Sequence, residues 1–235
     1  MKEFCNNPFF GIALSTAGYW IGSVLQKKTR ITIFNPLFTA PLMIIVFLLI
    51  FKIPYEYYNL GGSLIGMFLV PATACLGVSI YSRFDLLKKN WLPILAGCAA
   101  GSAASMTSVW GLCRLFRLDD SLANSLVPKS VTTPIAMDIS AGNGGIVPVT
   151  VAAVVFTGVV GSLISPALVK FFRLKNPLIV GLSIGASSHV GGTTKALEMG
   201  EAEGSMSGLA IGLCGIITVC LAIVFYRITG LISIP

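Results

Sequence analysis

Of the 235 residues, 55% are apolar and only 11% are charged, under half the charged share of an ordinary soluble domain, about 25%. A water-exposed surface cannot be built from so few charges, and the short loops leave no room for a soluble catalytic module, a receptor ectodomain or a DNA-binding head. The net charge of +7 belongs to membrane topology rather than to nucleic acid, because Lys and Arg are retained on the cytoplasmic side of a bilayer.

Charge-free stretches run from Phe4 to Gln26, Ile31 to Phe51, Tyr57 to Ser82, Asn90 to Cys113, Ile139 to Val169, Asn176 to Thr194 and Gly204 to Tyr226. Most reach the roughly 20 residues a helix needs to cross a bilayer. An all-α integral membrane protein is expected, one polytopic domain over 1–235 with about six to seven hydrophobic segments. Spanning helices are predicted at 9–25, 34–51, 60–81, 91–113, 146–169 and 205–226. The cluster Lys27, Lys28 and Arg30 puts the end of the first helix inside and the N-terminus outside. The connection at Lys52 and Glu56 is neutral, that at Arg83, Asp85, Lys88 and Lys89 is basic, and that at Arg114, Arg117, Asp119 and Asp120 is neutral again. Outside and inside alternate accordingly. Cys5, Cys75, Cys98, Cys113, Cys214 and Cys220 show no C-x-x-C spacing and read as small packing residues, not as zinc ligands or disulfide partners.

Two stretches fit no straight helix. Residues 121–145 hold Pro128, Lys129, Pro134, Asp138, Gly142, Gly144 and Gly145 among short apolar runs. Only entry and exit on the same face lets the next helix deliver Lys170, Arg173 and Lys175 to the inside, so this stretch reads as re-entrant. Residues 177–204, studded with Gly181, Gly185, Gly191 and Gly192 and then polar, read as broken or re-entrant too. Irregular backbone at membrane depth survives only where protein or a water-filled cavity satisfies its N–H and C=O groups, so a cavity is implied. An echo between Ala136-Met137-Asp138 through Gly144 and Ala196-Leu197-Glu198 through Gly204 suggests inverted repeats, the device of secondary transporters whose solute sites lie at paired broken helices.

A lysine at depth costs about 2.5–3.5 kcal/mol on insertion scales. Lys129, with Ser130, Thr132 and Thr133 around it and helix-end N–H groups free, is expected to face the cavity and hold a carboxylate, with Asp138 as counter-charge. The plainer reading has Lys129 and Asp138 snorkel to headgroups. Asn143 joins this set from the end of the same segment. The second broken stretch contributes Ser188, His189, Gly192 and Thr193. His189, the chain's one histidine, has two open readings: an anion-binding, hydroxyl-donating or proton-coupled group, or a neutral imidazole bonded to a neighbouring helix. Asp138, His189 and Glu198 are the coupling candidates, and Lys195 stands at helical spacing to pair with Glu198. The run Gly97 to Ser105 reads as close helix packing. No nucleophile pairs with a base and no ligand cluster or nucleotide loop is present, so no enzyme, metal or cofactor is expected.

The run Leu126 to Met137, the Gly144-Gly145 pair, His189-x-x-Gly192-Thr193 and Ala196-Leu197-Glu198 through Glu203-Gly204 resemble the CidB/LrgB family over nearly the whole chain. The string Pro128-Lys129-Ser130-x-Thr132-Thr133-Pro134 is the most specific part. The element from Pro71-Ala72-Thr73 to Tyr81 also looks like the family's third hydrophobic segment, with Ser79 where a second proline would stand. The resemblance implies a bacterial inner (plasma) membrane protein, antiholin-like or holin-like, that modulates murein hydrolase activity and autolysis with a small membrane partner of the CidA/LrgA family. It also implies a carrier, since plastid relatives translocate glycolate and glycerate and some bacterial pairs move pyruvate. The lysine, the histidine and the paired broken segments favour a translocator of small monocarboxylates; the alternative is a pore component that alters murein hydrolase export. So small a carrier is expected to form a homo-oligomer in the lipid bilayer.

Overall fold

The computed structural model describes residues 5–29, 34–68, 71, 74–75, 78, 81 and 84–230. The chain divides into two compact units, Met1–Thr73 and Ala74–Pro235. Among the described residues every regular element is helical.

The first unit holds α1 (Pro8–Thr29), α2 (Pro36–Ile50) and α3 (Tyr55–Gly66). The Asn7 side chain starts α1 by accepting the Phe10 N–H at 3.0 Å, the N-terminal capping bond. Gly11, Gly18 and Gly22 are the buried residues of α1. A Cβ on Gly11 would run into the Tyr58 carbonyl and lie 2.9 Å from Gly61 Cα, so α1 and α3 cross backbone to backbone. Gly18 faces Ala40 and Ile44 of α2, and Gly22 faces Thr39 and Pro36. Small residues permit such close approach where lipid offers no competing hydrophobic force. At 15 residues, α2 reaches only about 22 Å, short of a bilayer core of about 30 Å. The stretch predicted as a helix over 60–81 falls partly on 69–70, 72–73, 76–77 and 79–80, which lie outside the described residues, as do Ala72, Thr73 and Ser79 of the family-like element.

The second unit holds α4 (Phe84–Lys89), α5 (Trp91–Leu115), α6 (Asp120–Leu126), α7 (Thr133–Gly142), α8 (Val147–Phe171), α9 (Pro177–Met199) and α10 (Glu201–Thr229). Helix α9 is not a rod. His189 has φ 39° and ψ −133°, a conformation that costs an L-residue about 1–3 kcal/mol, and the chain doubles back there. A Cβ on Gly192 would stand 2.9 Å from Ile184 Cγ2, although residues eight apart on a straight helix are separated by about 12 Å. Val180, Ile184 and Ala196 likewise share one buried cluster. Helix α9 is therefore two half-helices side by side with His189 at the apex.

Helices α6 and α7 make a second doubled-back pair. Asn124 Nδ2 donates to the Asn143 carbonyl at 2.6 Å and the Ile146 N–H donates to Ser125 Oγ at 2.6 Å, which returns the end of α7 to the body of α6. Their connection is Val127 to Thr132, where Pro128 interrupts the helix, and Pro134 stands in the first turn of α7, the position a helix tolerates.

The directions of the long helices follow from their contacts. Gly97 and Gly101 of α5 meet Leu182 and Ala186 in that order, so α5 runs with the first arm of α9. Gly161 of α8 meets Ser188 at the apex while Val169 packs on the cluster of Val180 and Ala196, so α8 runs against it. Helices α5 and α8 thus point oppositely. Helix α10 runs with α5: Cys98 shares a buried cluster with Cys214, and Met106, Val109 and Cys113 share one with Ala222 and Tyr226. All six cysteines are free, with Cys98, Cys113 and Cys214 buried and Cys75 and Cys220 exposed.

Three helices end at a basic residue in the left-handed region. Lys52, Arg117 and Arg173 have φ of 50°, 54° and 52°, and each terminates a helix in the same way. The Ile53, Leu118 and Leu174 N–H groups reach back to the carbonyls of Leu48, Cys113 and Val169 at 2.9, 2.9 and 3.0 Å. This is the Schellman stop, written here as Phe-Lys/Arg-Ile/Leu, with the cation placed at the negative end of the helix.

Among the described residues, α1, α5, α8 and α10 are long and apolar enough to cross a membrane, and Phe38–Ile50 is a shorter apolar helix. Their outward side chains are apolar: Phe156 and Ile223 are 64% and 58% exposed. In water that would be unfavourable, and in lipid it is the solvated surface. The chain is a multi-pass, all-helical membrane protein.

Candidate functional site

A cavity of about 420 Å³ opens where the two doubled-back pairs approach α5. Lys129 and Ser130 reach it from the α6–α7 connection, Leu182, Ser183, Ala186 and Ser187 from the first arm of α9, and Gly97, Gly101 and Ser105 from one face of α5. The last three recur at every fourth position, which stacks them along one helix face. Ser130 Oγ lies 2.6 Å from Ser105 Oγ and accepts from Lys129 Nζ at 3.2 Å. The lysine is therefore held by a hydroxyl, not by a carboxylate. Ion pairs among the described residues are Arg114–Asp120 at 3.1 Å and Lys195–Glu198 at 2.7 Å, and neither involves Lys129. Its charge and the hydroxyls of Ser105, Ser130, Ser183 and Ser187 are chemically suited to a small anion.

Of the residues singled out from sequence, Lys129 and Ser130 line this cavity. Thr132 is buried against the turn and its Oγ1 has no hydrogen-bond partner among the described residues, while Thr133 begins α7. Asn143 ends α7, where its Nδ2 donates to the Ile139 carbonyl at 2.6 Å. Ser188 is buried behind the apex, 3.0 Å from Ser187 Oγ. Gly192 packs against Ile184 and Ser188, and Thr193 Oγ1 lies 2.7 Å from Ser207 Oγ on α10. His189 is buried and turned toward α8, its Nε2 3.1 Å from the Val154 carbonyl. A carbonyl can only accept, so the proton of that bond sits on Nε2.

Three expectations change. Asp138 is exposed on α7 and forms no ion pair with Lys129. Glu198 lies near the end of the second arm, away from the apex, and forms the expected pair with Lys195. The echo that set Asp138 beside Glu198 is displaced as well: α7 and the second arm of α9 end at Gly142 and Met199, which matches Asp138 with Lys195. The reason is the position of the fold-back, which sequence similarity over a few small residues does not locate.

Ser183, Ser187, Gly97, Gly101 and Ser105 were not on the predicted site. The four-residue spacings Gly97-Gly101-Ser105 and Ser183-Ser187 were the available signal. Close packing is part of the glycines' role, since a Cβ on Gly97 would lie 3.1 Å from Leu182 Cδ2. The Lys195–Glu198 pair is half exposed, so Lys195→Ala is expected to cost under about 1 kcal/mol and to leave the thermal midpoint in detergent nearly unchanged.

An oppositely directed helix set with broken pairs and an open, serine- and lysine-bearing cavity beside them defines a class, that of polytopic membrane proteins with a solute-sized cavity. Within it, the chain matches the LrgB-like family over residues 15–228 and belongs to that family, whose members are not enzymes. It is 40% identical over 229 residues to "Antiholin-like protein LrgB" of Bacillus subtilis (strain 168), covering 97% of this chain and 99% of that one. It is 37% identical over 224 residues to proteins of the same name from Bacillus mycoides (strain KBAB4) and Bacillus cereus (strain B4264), covering 95% of this chain and 97% of each. No solved structure matches the chain significantly.

Proposed function

We propose that this protein is an antiholin-like component of the bacterial plasma membrane that modulates murein hydrolase export and autolysis with a small membrane partner of the CidA/LrgA family. The observation that carries this reading is the name shared by its near-full-length relatives at 37–40% identity. Deleting the gene should speed detergent-induced autolysis and raise extracellular murein hydrolase activity, and re-expression should reverse both. Unchanged lysis curves in the deletion strain would count against it.

The cavity favours a second reading, in which the same chain translocates small monocarboxylates of the pyruvate, glycolate or glycerate class. Lys129, without a protein counter-ion among the described residues, takes the carboxylate. Ser130 and Ser187 offer hydroxyls to its oxygen substituents. The doubled-back pairs act as re-entrant elements that bring backbone to membrane depth around a wet chamber. Altered hydrolase release then lies downstream of metabolite flux. Proteoliposome uptake of labelled pyruvate separates the two readings: saturable uptake with solute preference supports the carrier, and leak without either supports the pore component.

A further inference from the structure

The order of elements in the second unit occurs twice. Helices α5 and α8 both have 25 residues, and their ends are shifted by 56 positions (91 to 147 and 115 to 171). Each stops at a Phe-Arg-Leu turn with the arginine at positive φ, and each is followed by a doubled-back pair. Helix α7 and the second arm of α9 correspond with a shift of 57 (133 to 190 and 142 to 199). Packing repeats with shifts of 56 and 57: Cys113 clusters with Ala123 as Val169 does with Val180. Since α5 and α8 point oppositely, the two halves are related by inversion across the membrane.

That relation carries the open cavity to a second location. Gly97 and Gly101 on α5 map to Ala153 and Thr157 on α8, each one position before Val154 and Gly158. The surface there is not open. The His189 ring fills it, with Nε2 on the Val154 carbonyl and Cε1 3.0 Å from where a Gly158 Cβ would stand. Gly191 follows it in, so close that a Cβ on Gly191 would lie 2.7 Å from Gly158 Cα. The first half has no such plug: Thr132, the residue that maps to His189, is too short to span the equivalent space, and a Cβ on Gly101 would meet only Ala186 Cβ, at 3.7 Å.

We propose that a second, opposite-facing anion chamber lies along Val154 and Gly158 of α8, shut by the His189 side chain, and that it opens when His189 leaves the Val154 carbonyl. Both chambers share Lys129, Ser130 and Ser187 at their common end, so one small carboxylate is handed between faces without leaving its cation. The inference rests on the translocator reading and adds the gate to it.

The test is thiol accessibility in sealed vesicles, with Cys5, Cys75 and Cys220 replaced by serine and a membrane-impermeant methanethiosulfonate reagent applied to one face at a time. Ser187→Cys is expected to react from one face and Val154→Cys slowly from either. Adding His189→Gly, which removes the ring and tolerates positive φ, should raise the Val154→Cys rate about tenfold from the face opposite to that of Ser187→Cys. His189→Asn, smaller but still a donor, should give a lesser rise from the same opposite face. If neither variant raises the rate, or the rise comes from the Ser187 side, the plug is overturned. Uptake is a separate readout. Opposite-face opening without pyruvate uptake would remove the carrier reading and keep the chamber, and uptake without opening would do the reverse.

Discussion

Lys129→Ala is expected to raise the half-saturation concentration for pyruvate or glycolate uptake by about 10- to 100-fold. Hydrogen bonds to charged groups are worth roughly 1.5–3 kcal/mol, and each 1.4 kcal/mol or so is a factor of ten in affinity. No acidic side chain pairs with this lysine among the described residues, so removing it strands no buried carboxylate and the loss falls on the solute. Lys129→Arg keeps the charge and should retain more of the affinity, and Ser130→Ala or Ser187→Ala should cost only about two- to tenfold each, as for neutral donors. Uptake titrations in proteoliposomes give all four values. Equal half-saturation for Lys129→Ala and the parent protein would show that the anion is held elsewhere.

Gly185→Leu should destabilise the second unit more than any surface change. A Cβ there would run into the Ser207 carbonyl and stand 2.8 Å from Ala210 Cβ and 2.9 Å from Ser207 Cα. These are backbone and first side-chain atoms of α10, with no flexible end to swing aside. Overpacking at such sites costs about 1–3 kcal/mol or more, and here the first arm of α9 must lift from α10, taking Ser183 and Ser187 with it. Gly208→Ala is the matched comparison: its added Cβ meets nothing within 4 Å, and alanine in a helix interior gains about 0.5–1 kcal/mol over glycine. Thermal melts in detergent should therefore move in opposite directions for the two variants. A common direction would contradict the packing of α9 on α10.

Lys129, Ser130 and the two broken stretches could be read from sequence because prolines, glycines and a lone charge within an apolar run have local costs that need an explanation in any fold. Ser183, Ser187 and the Gly97–Gly101–Ser105 face could not. On a one-dimensional reading they are ordinary small residues on helices, and their meaning comes from what stands opposite. His189 illustrates the limit most clearly. Its chemistry admitted solute binding, proton coupling or a structural hydrogen bond, and only the fold-back at its own φ angle chose the Val154 carbonyl as its partner.

Composition alone decided that this chain lives in lipid, since 11% charged residues cannot cover a protein in water, and the charge-free stretches overlap α1, α5, α8 and α10. Those are additive, local quantities. Which arm lies against which, how far a fold-back shifts the register between two halves, and which of nine suspected residues meet around one cavity depend on contacts between positions tens of residues apart. Such contacts are made by backbone approaching backbone at Gly158 and Gly191 or Gly185 and Ser207. Only the tertiary structure decided them, because close approach is a property of pairs of surfaces and neither partner carries it alone.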